Sequence, residues 1–142
     1  HPSVVVHGFS IDALQHAQQI AQQQSLPLRI GLGWYPSFMH AQVAPAVVDT
    51  ISQLCGIDQH ALSQLSSADW AMLGLTLCTQ LKFPILALHK TLITPTLVKS
   101  AHDAGILLSA FVISEPKEYA ALQAMGVDVL TCDPSLFTHS LP

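Results

Sequence analysis

Residues 83–133 read FPILALHK TLITPTLVKS AHDAGILLSA FVISEPKEYA ALQAMGVDVL TCD, and this stretch decides the fold. Ile85 to Leu88 is a short apolar run, which predicts a buried strand. Thr94-Pro95 predicts a helix start, a capping hydroxyl followed by a proline whose missing N–H costs nothing at the first helical position. Leu97, Val98 and Ala101 give that helix one apolar face, and Gly105 supplies a left-handed stop. Ile106 to Ile113 predicts a further strand, Ser114 to Met125 a helix closed by Gly126, and Val127 to Cys132 a last strand. Strand and helix alternate with short connections, the pattern of a parallel sheet with helical crossovers.

The same alternation holds at the start of the chain. Val4 to Phe9 predicts a buried parallel strand. Ser10 is placed to cap a helix whose apolar residues recur at Leu14, Ala17, Ile20 and Ala21. Pro27 breaks the helical pattern, and Leu28 to Trp34 predicts a second strand. Between Tyr35 and Leu81 the pattern predicts helices around Ala44 to Leu54 and Ala61 to Leu65, with no strand. A doubly wound sheet and a piece of a (β/α)8 barrel both fit five such strands. The turn Phe9-Ser10-Ile11-Asp12 holds no glycine, so the phosphate loop of a dinucleotide fold is absent and the barrel is favoured.

Composition narrows the function. The 142 residues suffice for one domain. Half are hydrophobic and 10% are charged, against about a quarter in ordinary soluble domains. Either part of the surface is covered by something else, or Gln, Ser and Thr substitute for charge, as in the glutamine-rich stretch from Gln15 to Gln24. The net charge of −4 and five scattered cations, Arg29, Lys82, Lys90, Lys99 and Lys117, argue against nucleic acid and against a polybasic membrane anchor. No membrane span is expected, because Gln80, Lys82, Pro84 and His89 interrupt the most apolar window. Cys55, Cys78 and Cys132 form neither a disulfide framework nor a zinc spacing, and with no visible signal peptide they point to a cytoplasmic protein. The chain opens His1-Pro2-Ser3 and runs directly into a strand, from which further sequence upstream is expected.

The order Leu92-Ile93-Thr94-Pro95, Ala101-His102-Asp103-Ala104-Gly105, Ala110-Phe111-Val112-Ile113-Ser114 and Gly126-Val127-Asp128 to Cys132-Asp133 resembles the end of the glycerophosphodiester phosphodiesterase family. In that family a helix leads to a strand ending Trp/Tyr-Thr-Val-Asn, and a further helix leads to Gly-Val-Asp and a strand ending Thr-Asp. Val5-Val6-His7-Gly8-Phe9-Ser10 is similar to the family's strand ending Ser-Phe. The resemblance covers the first thirty-odd residues and everything after about Phe83. It implies that residues 1–142 are a single partial domain, the C-terminal portion of a TIM (β/α)8 barrel of about five parallel strands.

The resemblance also implies an activity, hydrolysis of glycerophosphodiesters to glycerol 3-phosphate and an alcohol in lipid metabolism, with Mg or Ca as the family's metal. The family's His-Arg, Glu-x-Asp and Glu-x-Lys motifs have no counterpart here; the only glutamates are Glu115 and Glu118, at the start of one helix. Catalytic residues and metal ligands are therefore expected to be absent, and the chain alone is expected to be inactive. An upstream segment would supply them. The alternative is a non-catalytic half-barrel acting as a ligand-binding module, or one that self-associates, two copies closing a barrel-like dimer.

Candidate substrate-binding residues are those near predicted strand ends, where barrel sites are built: His7, Phe9, Trp34, His89, Phe111 and Asp133. Each has a structural reading beside the functional one. The histidines and aromatics are as readily packed or solvated, and Asp133 can cap the turn into Pro134-Ser135. Lys90 reads as a solvated lysine, and His102-Asp103, late in a helix, as exposed.

Overall fold

The computed structural model describes residues 4–34 and 45–137. In chain order the elements are β1 (Val4–Gly8), α1 (Ile11–Gln23), β2 (Leu28–Trp34), α2 (Pro45–Cys55), α3 (Gln59–Ser63), α4 (Ser67–Leu81), β3 (Ile85–His89), α5 (Pro95–Asp103), β4 (Leu107–Ile113), α6 (Pro116–Met125) and β5 (Val129–Cys132). Short 3-10 turns follow β3 and β5.

All five strands pair in parallel, in the order β1-β2-β3-β4-β5. That order separates the two folds left open by the sequence. Parallel crossovers are right-handed, so a sheet whose order never reverses carries its helices on one face, whereas a doubly wound sheet reverses and is covered on both. The fold is a curled half-barrel, an α/β unit with helical crossovers, as expected from the resemblance.

Strand parity assigns the two faces. Leu32, Trp34, Leu86, Leu88, Leu108 and Ala110 point to the helices and are buried in the core with Leu77, Phe83 and Leu97. His7, Gly31, Gly33, Ala87, Ser109 and Phe111 alternate with them and face the concave side. Burial of the leucines alone contributes about 1.5–3 kcal/mol each before chain entropy is charged against it.

Helix starts follow local chemistry. Ser10, Asp58, Ser66 and Thr94 each accept a backbone N–H of the first turn. At α6 the Glu115 and Glu118 side chains form a reciprocal capping box.

Two expectations are corrected. Val4 and Val5 are 61% and 41% exposed, so β1 is not a buried strand. It lies at one edge of the sheet, with β2 its only partner among the described residues. The second correction is α4, which the sequence pattern did not anticipate. Trp70, Ala71, Leu73, Gly74, Leu75, Leu77 and Cys78 are all buried, so this helix is apolar over most of its circumference and shows no single stripe.

Candidate functional site

The concave face holds a cavity of about 470 Å³. It lies toward the C-terminal ends of the strands and is lined by His7, Gly8, Phe9, Gly33, Ala87, Ser109, Phe111 and Thr131. The floor is made by small residues, and the reason is close approach. A Cβ at Gly31 would lie 2.7 Å from His7 Nδ1, and one at Gly33 would lie 2.9 Å from Phe9 Cδ1. Real Cβ atoms do not come so near, so the two glycines let the His7 and Phe9 side chains lie down on β2.

The aromatic wall is a chain of edge-on contacts. Phe9 and Phe111 meet at 6.2 Å and 85°, and His89 meets Phe111 at 6.0 Å and 82°. A β-bulge in β4 holds Phe111 in this position. Ala110 pairs with Leu130 and Ile113 with Cys132, so β4 spends three residues where β5 spends two. The extra residue, Val112, has φ +63° and is exposed. It lets Phe111 face the cavity and Ile113, 2% exposed, return to the core.

Directly after β3, Lys90 Nζ donates to Glu118 Oε1 at 2.6 Å, and Glu118 Oε2 accepts the Ser114 N–H at 3.1 Å. The Lys90 ammonium and then the Ser114 N–H hold the Glu118 carboxyl below the usual glutamate range. Lys90 is thus ion-paired and largely covered, not the solvated lysine expected from sequence. His89 Nδ1 accepts from the Thr91 N–H at 3.3 Å. Burial, followed by the nearby Lys90 charge, lowers its pKa against the opposing pull of Glu118. The fold thus favours the neutral imidazole.

Of the six residues singled out from sequence, His7, Phe9 and Phe111 come together in the cavity, and His89 joins them through Phe111. Trp34 does not. Its parity along β2 turns it to the helices, where it is 2% exposed, stacks on Trp70 at 4.5 Å and donates from Nε1 to the Trp70 carbonyl at 2.7 Å. This corrects its reading as a substrate-binding residue. Asp133 is not among the lining residues. Its Oδ1 accepts the Ser135 N–H at 2.8 Å, which lowers its pKa and ties the turn after β5. His102 pairs with Asp128 at 2.9 Å, and the same carboxylate oxygen accepts the Leu108 N–H, so that pair fastens the start of β4. Ser109, Thr131, Gly33 and Ala87 were not singled out. Counting back by two from Phe111 reaches Ser109, a signal that was present in the sequence.

No family model matches the chain, and no curated protein matches it significantly. Solved structures do. A candidate glycerophosphoryl diester phosphodiesterase from Silicibacter pomeroyi superposes with a TM-score of 0.62 at 16% identity, over 95% of this chain and 36% of that one. The chain has the fold of part of a phosphodiesterase barrel. An Oleispira antarctica phosphodiesterase, solved with the product sn-glycerol-3-phosphate, gives 0.59 at 15% identity over 96% and 40%. A further candidate glycerophosphoryl diester phosphodiesterase, from Agrobacterium tumefaciens, gives 0.55 at 11% over 92% and 40%. The chain therefore spans 36–40% of the length of these structures, in keeping with a C-terminal partial barrel.

The resemblance implies a divalent metal, and the concave face is where barrel active sites hold one. Mg and Ca take oxygen ligands, chiefly carboxylates. Among the described residues the cavity lining contains none, only one imidazole and two hydroxyls beside apolar groups. Among the described residues no three His, Cys, Asp or Glu side chains gather as a metal-binding group. The described residues do not fit the ion. No described helix is long and apolar enough to cross a membrane.

Proposed function

We propose that this chain is the C-terminal, ligand-facing portion of a glycerophosphodiester phosphodiesterase barrel, and that by itself it does not hydrolyse the diester. The observation that carries this is the concave face. It has the fold of the phosphodiesterase structures and an aromatic cavity at the strand ends, yet its lining offers no carboxylate to hold a metal and water. Hydrolysis would need carboxylate ligands and an acid–base pair from further strands, which would pair with the outer edges of β1 and β5. In the closed barrel this portion would supply Phe9, Phe111, His7 and His89 around the substrate.

The test is turnover of a glycerophosphodiester by the purified chain with added Mg or Ca, with release of sn-glycerol-3-phosphate as the readout. The reading expects no release above the buffer rate. Metal-dependent release by the chain alone would refute it.

A second reading is supported by the exposed edges themselves. Val4, Val5 and Val129 are each more than 40% exposed on the two outermost strands. Unpaired apolar edges favour association, so a non-catalytic half-barrel that pairs with a second copy also accounts for them.

A further inference from the structure

The cavity has a chemical preference written into its floor. Ser109 is the one buried polar residue of the described core, at 2% exposed. It lines the cavity between Ala87 and the Val129 position of β5. Its hydroxyl has no hydrogen-bond partner among the described residues, yet it is not sealed away from the cavity. A hydroxyl that opens on a cavity is satisfied there by water, or by a ligand group that takes the water's place. Phe9 and Phe111, which meet edge to face, line the same cavity. No Lys, Arg, Asp or Glu lines the cavity. A cation placed there would meet no counter-charge among the described residues.

We propose that this cavity binds an uncharged group with an apolar or aromatic body and one hydroxyl, and that Ser109 is the residue that selects the hydroxyl. On the phosphodiester reading, that group is the alcohol part of the substrate and not its charged phosphate. The inference rests on the concave face being the ligand face. Binding is read without turnover, so a chain that binds and does not hydrolyse keeps the two claims separable.

The experiment compares benzyl alcohol, toluene and benzylamine as probes of the whole chain, by chemical shift changes at Ser109, Phe9 and Phe111. Satisfying the lone Ser109 hydroxyl should make benzyl alcohol bind about tenfold tighter than toluene. Benzylamine, the cation of the same shape, should bind more weakly than either. In Ser109→Ala the advantage of benzyl alcohol over toluene should vanish while toluene binding is kept, and the unliganded variant should be at least as heat-stable as the native chain. Equal binding of toluene and benzyl alcohol to the native chain would overturn the proposal, as would tighter binding of benzylamine or no binding of benzyl alcohol at these residues. A Ser109→Ala chain that fails to fold would also overturn it, since the hydroxyl would then be structural.

Discussion

Replacing Gly74 by alanine sets two effects against each other, and the structure decides the sign. Gly74 lies within α4, where alanine is preferred over glycine by about 1 kcal/mol in an exposed helix interior. Here the added Cβ would stand 2.8 Å from Trp34 Cδ1, 2.9 Å from Cγ and 3.0 Å from Nε1. The indole cannot retreat cheaply. It is almost fully buried, stacked on Trp70, and tethered by its 2.7 Å hydrogen bond to the Trp70 carbonyl. Overpacking a filled core costs about 1–3 kcal/mol, and breaking the indole hydrogen bond leaves buried groups unpaired at a further 1–3 kcal/mol or so. After the propensity gain, Gly74→Ala is expected to destabilise the chain by about 3 kcal/mol. For a domain of this size that lowers Tm by roughly 12 °C. Urea unfolding followed by tryptophan fluorescence is the assay, because Trp34 and Trp70 are the chain's only tryptophans and form this contact. An increase of about 1 kcal/mol, the value for an unobstructed helix site, would refute the packing argument.

Other perturbations test other parts of the account. Val112 holds a β-branched side chain at φ +63° with more than half its surface exposed; Val112→Gly should relieve about 1–2 kcal/mol of strain and return about half of it as chain entropy, raising Tm by a few degrees in a calorimetric scan. A fall in Tm would mean the bulge is unstrained. Glu118 has a depressed pKa in the fold, so its contribution is complete above the unfolded value of about 4.3 and is lost as pH falls through the lower folded value. Unfolding curves of the native chain and Glu118→Gln should therefore differ at pH 7 and converge in strong acid; a gap that widens in acid would contradict the assignment. Burial pushes the Cys78 thiol up to about 12, whereas Cys132 is only partly covered. Iodoacetamide should label Cys132 in the native chain and Cys78 only after unfolding, as mass spectrometry of the digests would show.

Much of the fold was legible because its signals are local. Thr94-Pro95 announces α5, and the apolar runs at Leu28 and Ile85 announce β2 and β3, whose neighbours on both sides are present. What escaped reading depends on surroundings. The valines of β1 read as a buried strand because a central strand and an edge strand of a barrel carry the same residues; only the sheet order places β1 at the edge. Helix α4 escaped because an all-round apolar helix has no stripe, and its end has no glycine signal, Lys82 itself adopting the left-handed conformation. The site was half legible for a related reason. Phe9, His7 and Phe111 stand out by type, while Trp34 also stands out and faces the other way, since aromatic character carries no information about parity. The one-residue bulge at Val112 changes the parity of Ile113 and leaves no mark in the sequence.

The central proposal is that these residues are an open portion of a barrel, which leaves the outer edges of β1 and β5 without partners among the described residues, and such edges favour association. Sedimentation velocity of the purified chain over a wide concentration range tests it directly. The account predicts association that deepens with concentration, driven by the exposed β1 and β5 edges and suppressed by Val4→Lys and Val129→Lys together. A chain that sediments as a stable monomer at every concentration would contradict it.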